Sequence, residues 1–184
     1  SFGHGFSVTP LHALVAGAAM VNGGVLYPPR LTPTDMPVGT RVISEPTSLV
    51  LRDMMRDVVT IGTGKKANVP GYDVIGKTGS ANKPVRGGYD DDALITSFLG
   101  AFPYSDPRYA LLVMLDEPQG IPETHNLTLA GWNAAPTAAE IIARAAPLLG
   151  VRPALHRPFQ AYEKTAAEAG VPPLALKAEV PHAP

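Results

Sequence analysis

The sequence predicts an α+β fold built on an antiparallel sheet. Three observations predict it. Two helical patterns come first, three strand patterns follow, and one helical pattern comes last. The turn "YSDPR" joins the last two strand patterns as a hairpin. With 184 residues, 45% hydrophobic and 17% charged, the chain suits one domain, or a large piece of one, with a real core.

The first helix starts near Thr9, which can cap it, with Pro10 at its first position. Its run "LHALVAGAAMV" is almost wholly small and apolar, so this helix is expected to be buried, and "NGG" at 22–24 ends it. "VLYPPRL" and "TRVIS" are short extended candidates around a proline-rich turn. A second helix runs from Ser44 to Thr60, capped by Ser44, with Leu51, Met54, Met55, Val58 and Val59 as its apolar stripe. The loop "GTGKKANVPGY" leads to strands over 72–82, 94–103 and 108–116. The last helix covers 135–149, with Ile141, Ile142, Ala145 and Leu149 inward and Pro147 disturbing its final turn. Residues 1–150 form the folded part; 151–184 read as a proline- and alanine-rich tail with one weak helix near 160–169.

The net charge of −1 gives no electrostatic case for nucleic acid or an anionic membrane surface. No cysteine is present, which removes thiol catalysis and cysteine-bound zinc and fits an extracytoplasmic compartment. No apolar run approaches the roughly 20 residues of a membrane span. The opening "SFGHGFSVTP" has no leader pattern and reads as the middle of a domain, so the chain is expected to be a fragment.

The chemistry gathers in "GKTGSAN" at 76–82. On a strand, Lys77 and Gly79 face one way, Thr78 and Ser80 the other. Two hydroxyls at that spacing suit one carboxylate. Lys77 supplies positive charge and a proton relay, and partial burial is expected to tune it. Gly79 marks close approach by a backbone or ligand. The backbone N–H groups of an edge strand can hold an extended peptide or a developing oxyanion. A bare Lys-Thr-Gly triplet is common, and taken alone it reads better as an exposed strand lysine followed by a glycine bulge. The surroundings decide.

Lys-Thr-Gly is one signature of the penicillin-recognising serine enzymes, beside Ser-x-x-Lys and a Ser-x-Asn element. "SFGHGFSVTPLHALVAGAAMVNGG", "GTGKKANVPGYDVIGKTGSAN", "ALITSFLGAFPYSDPRYALLVMLDEPQG" and "AAPTAAEIIARAAPLLGVRP" resemble, in order, the last part of a class B penicillin-binding protein transpeptidase domain. The resemblance covers about Ser1 to Pro153. It implies the penicillin-binding transpeptidase (serine β-lactamase-like) fold, of which this chain holds the C-terminal portion, three antiparallel strands with flanking helices. Two further strands, the nucleophile helix and the Ser-x-Asn loop would precede Ser1, and one missing strand would pair with 108–116.

The implied reaction is serine acyl transfer from D-Ala-D-Ala stem peptides, cross-linking peptidoglycan, with β-lactams acylating the same serine. Carried onto this chain, Lys77 and Ser80 are catalytic and Thr78, Gly79, Ser80 and Ala81 bind substrate. Lys77 shapes the proton path, the Thr78 and Ser80 hydroxyls take the carboxylate, and the Ser80 N–H is half of an oxyanion hole. The resemblance implies no cofactor and no metal. It implies an anchored protein on the periplasmic side of the inner membrane, serving division or elongation (cell shape), with glycosyltransferase and other cell-wall synthesis partners. The fragment alone is expected to be inactive. Two alternatives stay open: a non-catalytic partner module, and a D,D-carboxypeptidase or β-lactamase relative.

"SANK" at 80–83 also fits Ser-x-x-Lys, and "SAN" fits Ser-x-Asn. Both lie on a strand, where i and i+3 face opposite ways, so both read as coincidences. His4, His12, His125, His156 and His182 show no metal-ligand spacing. His4, in a glycine-flanked turn, reads as structural. "DDD" at 90–92 reads as a solvated loop tip, and "GTGKK" lacks the spacing of a phosphate loop. Trp132 suits either the cleft or the core.

Overall fold

The computed structural model describes residues 7–32 and 37–154, with backbone alone at 91 and 92. His4, His156, His182 and the segment from 155 onward, including the helix expected near 160–169, lie outside the described residues. The elements are α1 (Pro10–Val21), β1 (Val25–Leu26), β2 (Thr40–Arg41), α2 (Glu45–Thr60), β3 (Ile75–Val85), β4 (Gly88–Phe102), β5 (Tyr109–Asp116) and α3 (Ala134–Leu148). β1 and β2 pair with each other; β3, β4 and β5 form an antiparallel sheet with β4 in the centre.

Thr9 caps α1 as expected, its hydroxyl accepting from the His12 N–H at 3.2 Å. The expected full burial of α1 is not found. Gly17, Ala19 and Val21 are buried, whereas Leu11 is 52% exposed. α1 packs against α2, β1, β4 and β5, and its buried residues all lie in its second half. Its first turn instead lines an open apolar groove of about 450 Å³ made by Pro10, Leu11, Leu14, Leu112 and Met114.

Ser44 caps α2, accepting from the Thr47 N–H. Its expected stripe is only partly right. Met55 and Val59 are buried, Met54 is exposed, and Ser48, Asp53 and Arg56 are buried in its place. The cause is that α2 lies over backbone carbonyls and N–H groups that need partners. Ser48 Oγ donates to the Met20 carbonyl at 2.7 Å and accepts from the Gly23 N–H at 3.0 Å. Arg56 donates to the Val74 carbonyl, and Asp53 accepts from the Tyr104 hydroxyl.

The first strand starts later than expected and runs on to Val85, where a two-residue Arg86-Gly87 turn leads into β4. Gly87, at φ 97°, supplies the left-handed conformation such a tight turn needs. β4 therefore begins at Gly88, and the acidic triplet 90–92 lies within a strand, not at a loop tip. The cores divide by strand face. Val74, Phe98, Phe102 and Val113 pack against Ala134, Ala138, Ile142 and Ala146 of α3. Ile75 and Ala101 face the other way, onto Val21 of α1 and Met55 of α2.

The inner face of α3 is turned from the expected one. Ile142 is buried with the alanines four residues either side of it, while Ile141 and Leu149 are 46% and 41% exposed. Alanines let the helix axis lie close to the sheet, which outweighs the bulk of Ile141 and Leu149. Pro147 does not break the last turn. Gly150, at φ 70°, closes the helix, with Val151 N–H bonded to Ala146 O and Gly150 N–H to Pro147 O.

Candidate functional site

The run Lys77–Ala81 lies on β3, which ends the three-stranded sheet and pairs only with β4 among the described residues. Strand parity divides it as the sequence predicts. Lys77 is opposite Leu99, whose side chain meets Gly17 of α1, so Lys77, Gly79 and Ala81 share the face carrying α1 and α2. Thr78 is opposite Phe98 and Ser80 opposite Thr96, on the face that carries α3.

Both hydroxyls are held by loops. Thr78 Oγ1 lies 2.6 Å from Thr63 Oγ1, in the loop that follows α2. Ser80 Oγ accepts from the Ala130 N–H at 3.0 Å, in the loop before α3. That loop is itself tied down by Asn133, whose Oδ1 accepts from the buried Thr96 hydroxyl at 2.8 Å and from the Ala134 N–H. Asn133 Nδ2 donates to the Thr128 carbonyl at 2.8 Å. One side chain thus caps α3, reaches β4 beside Ser80 and holds the turn that meets the Ser80 hydroxyl.

Lys77 is exposed, so the partial burial expected for it is not found among the described residues. Its Nζ donates to the Thr78 carbonyl at 2.6 Å. Gly79 has more room than its neighbours: a Cβ there would meet only Ser97 Oγ, at 2.7 Å. At Gly76 a Cβ would come 2.3 Å from Phe98 Cζ and 2.7 Å from the Leu99 carbonyl oxygen. Packing therefore demands a glycine before the lysine, while at Gly79 the close neighbour is a serine hydroxyl on the side where Lys77 lies.

The Ser80–Lys83 pair is separated by its partners. Ser80 bonds to Ala130, whereas Lys83 donates to Glu117 at 2.6 Å and Asp116 at 3.0 Å. A register shift between Asn82 and Lys83 lets the lysine reach these carboxylates at the end of β5. The hydrogen bonds to Glu117 and then Asp116 raise its pKa, the opposite of what a proton-accepting lysine needs.

Trp132 is half-buried at the rim, with Lys66 Nζ 4.5 Å above its ring and His125 edge-on at 5.6 Å. Thr63, within "GTGKK", is not singled out by phosphate-loop spacing or by the resemblance; the signal in the sequence is the glycine on each side of it.

The family description "Penicillin binding protein transpeptidase domain" matches residues 1–143. A probable peptidoglycan D,D-transpeptidase FtsI of Caulobacter vibrioides is 41% identical over 164 residues, covering 83% of this chain and 28% of the relative. Stage V sporulation protein D of Bacillus subtilis is 38% identical over 166 residues, covering 83% and 25%. The chain thus spans about a quarter of the length of these curated relatives. Among solved structures, penicillin-binding protein 3 of Mycobacterium tuberculosis complexed with ampicillin superposes with a TM-score of 0.72 at 32% identity, covering 84% of this chain and 38% of that one. The transpeptidase domain of penicillin-binding protein 3 from Burkholderia pseudomallei gives 0.73 at 34% identity, covering 84% and 46%.

Proposed function

This chain belongs to the penicillin-binding protein transpeptidase family, and from that premise we propose that it forms the Lys-Thr-Gly wall of a peptidoglycan D,D-transpeptidase site. One observation carries the reading. An edge strand presents Lys77 on one face and two loop-held hydroxyls, Thr78 and Ser80, on the other. An extended peptide laid along that edge meets backbone N–H groups, a cation and two hydroxyl donors within one turn of its length.

In the proposed reaction a serine oxygen adds to the penultimate D-Ala carbonyl of a stem peptide. The serine proton passes to the leaving amine, and the terminal D-Ala departs. An amine of a second stem then displaces the serine from the ester and completes the cross-link. Lys77 stabilises negative charge along that proton path. The Thr78 and Ser80 hydroxyls hold the terminal carboxylate, Gly79 and Ala81 lie along the peptide, and the Ser80 N–H donates to the oxyanion. β-Lactams take the stem peptide's place, a proposal supported by the ampicillin complex of the M. tuberculosis relative.

Ser80 does not serve as the nucleophile. Its only Ser-x-x-Lys partner is Lys83, which is held by Asp116 and Glu117. The attacking serine and a strand beside β5 belong, in this reading, to other parts of the same domain. Such a strand would also cover the apolar groove between α1 and β5. No helix among the described residues is long and apolar enough to cross a membrane. The extracytoplasmic setting, a membrane anchor, the 1–150 domain boundary and cell-wall synthesis partners are part of the same proposal.

The test is acylation of the intact protein by a labelled penicillin. Thr78→Val and Ser80→Ala each slow it if the hydroxyls hold the carboxylate. Unchanged rates in both variants would reject the assignment.

A further inference from the structure

Thr63 has no part in the roles assigned so far, yet its hydroxyl is 2.6 Å from that of Thr78. The position is built. Gly62 and Gly64 let the chain fold back over the last turn of α2: a Cβ on Gly62 would lie 2.8 Å from Val58 Cα, and one on Gly64 3.1 Å from Val58 Cγ1. The Gly64 N–H donates to the Val58 carbonyl, and the Gly62 N–H to that of Asp57, both at 2.9 Å. From the other side, Gly131 presses so closely that a Cβ there would come 2.6 Å from the Thr63 carbonyl oxygen. Thr63 is nonetheless exposed, so its hydroxyl contributes little to a core.

Resting on the transpeptidase reading, we propose that Thr63 is a positioning residue for the carboxylate subsite. Its hydroxyl donates to Thr78 Oγ1 and leaves the Thr78 proton for the substrate carboxylate. Two hydroxyls this close hold two protons, and only one lies between the oxygens. If Thr78 donated, its oxygen would show an arriving anion nothing but lone pairs. With Thr63 as donor, Thr78 presents a proton, and the bond it accepts makes it the stronger donor. The anion selects the second arrangement. Thr63 thus acts through Thr78 and touches no reacting atom.

The test uses the intact protein and the second-order acylation rate with a labelled penicillin, as the free carboxylic acid and as its methyl ester. Thr63→Val is expected to slow the acid about fivefold, the scale of one hydrogen bond, and to leave the ester within about twofold. Thr63→Ser is expected to restore the acid rate. The double variant T63V/T78V is expected to be no slower than T78V alone, because one residue acts through the other. An unchanged acid rate in T63V, equal slowing of acid and ester, or full multiplication of the two single effects would overturn the proposal. If the unsubstituted protein is not acylated at all, the transpeptidase reading itself fails, and that control is read before any variant.

Discussion

Arg56 Nη1 donates to the Val74 carbonyl at 2.7 Å, directly before the strand that carries Lys77. The same nitrogen reaches Asn68 Oδ1 at 3.1 Å, and Nη2 lies 3.6 Å from Asp73. Burial lowers the guanidinium pKa, and Asp73 opposes that shift. Asp73 has φ 44°, an uncommon conformation, so the approach to β3 is a strained turn held by a buried fork of donors. Arg56→Met is expected to destabilise the fold by about 2–3 kcal/mol in urea unfolding. Arg56→Lys should recover less than half of that, since an ammonium cannot reproduce the fork. A methionine variant as stable as the parent would show that the carbonyl is held otherwise.

The two glycines around Lys77 should respond differently. Gly76→Ala forces a Cβ against Phe98 and the Leu99 backbone, at a cost of about 3 kcal/mol. Gly79→Ala meets only the tip of Ser97, so stability stays within about 0.5 kcal/mol of the parent. Penicillin acylation of the intact protein, however, is expected to fall about ten- to a hundredfold in Gly79→Ala, because the new methyl group occupies the ligand's approach. Normal acylation by that variant would remove Gly79 from the site.

Lys83 gives a prediction in pH. Its folded pKa is raised above the ordinary lysine value of 10.5 by its bonds to Glu117 and Asp116. The stabilisation is therefore complete below the unfolded lysine pKa and is lost as pH rises through the higher folded value. The stability difference between the parent and Lys83→Met should close at strongly alkaline pH, and shrink with added salt at neutral pH. Acylation of the intact protein should be unchanged in this variant. A loss of acylation would mean that "SANK" takes part in the chemistry.

Much of this was legible because caps, turns and strand parity are local. Thr9 and Ser44 sit next to the helices they cap, and the two faces of β3 follow from alternation alone. The polar face of α2 was not legible, because Ser48 and Arg56 are buried to satisfy Met20 and Val74, partners distant in sequence. The orientation of α3 was missed for a related reason: a row of alanines gives a weak apolar signal but the closest approach to a sheet. Thr63 was overlooked because its meaning depends on Thr78, fifteen residues on and in a different element. Lys77 was expected to be partly buried, and within the described residues nothing covers it.

The outer edge of β5 and the groove beside it expose Leu11 and Met114. Among the described residues that edge has no strand partner, and an apolar edge of this kind pairs readily with another chain. The 184-residue chain alone should therefore self-associate in sedimentation, and Met114→Lys should reduce that association. A monodisperse monomer at high concentration would show that the edge is already covered.

In the proposed function this chain supplies the lysine wall of an acyl-transfer site, and the nucleophile lies elsewhere in the same domain. The most direct measurement is peptide mapping of the intact protein after reaction with a labelled penicillin, with and without Lys77→Ala. An adduct is expected on a serine outside the 184 residues. Without Lys77 it is expected to form about a hundredfold or more slowly. An adduct on Ser80, or one whose rate ignores Lys77, would contradict that proposal.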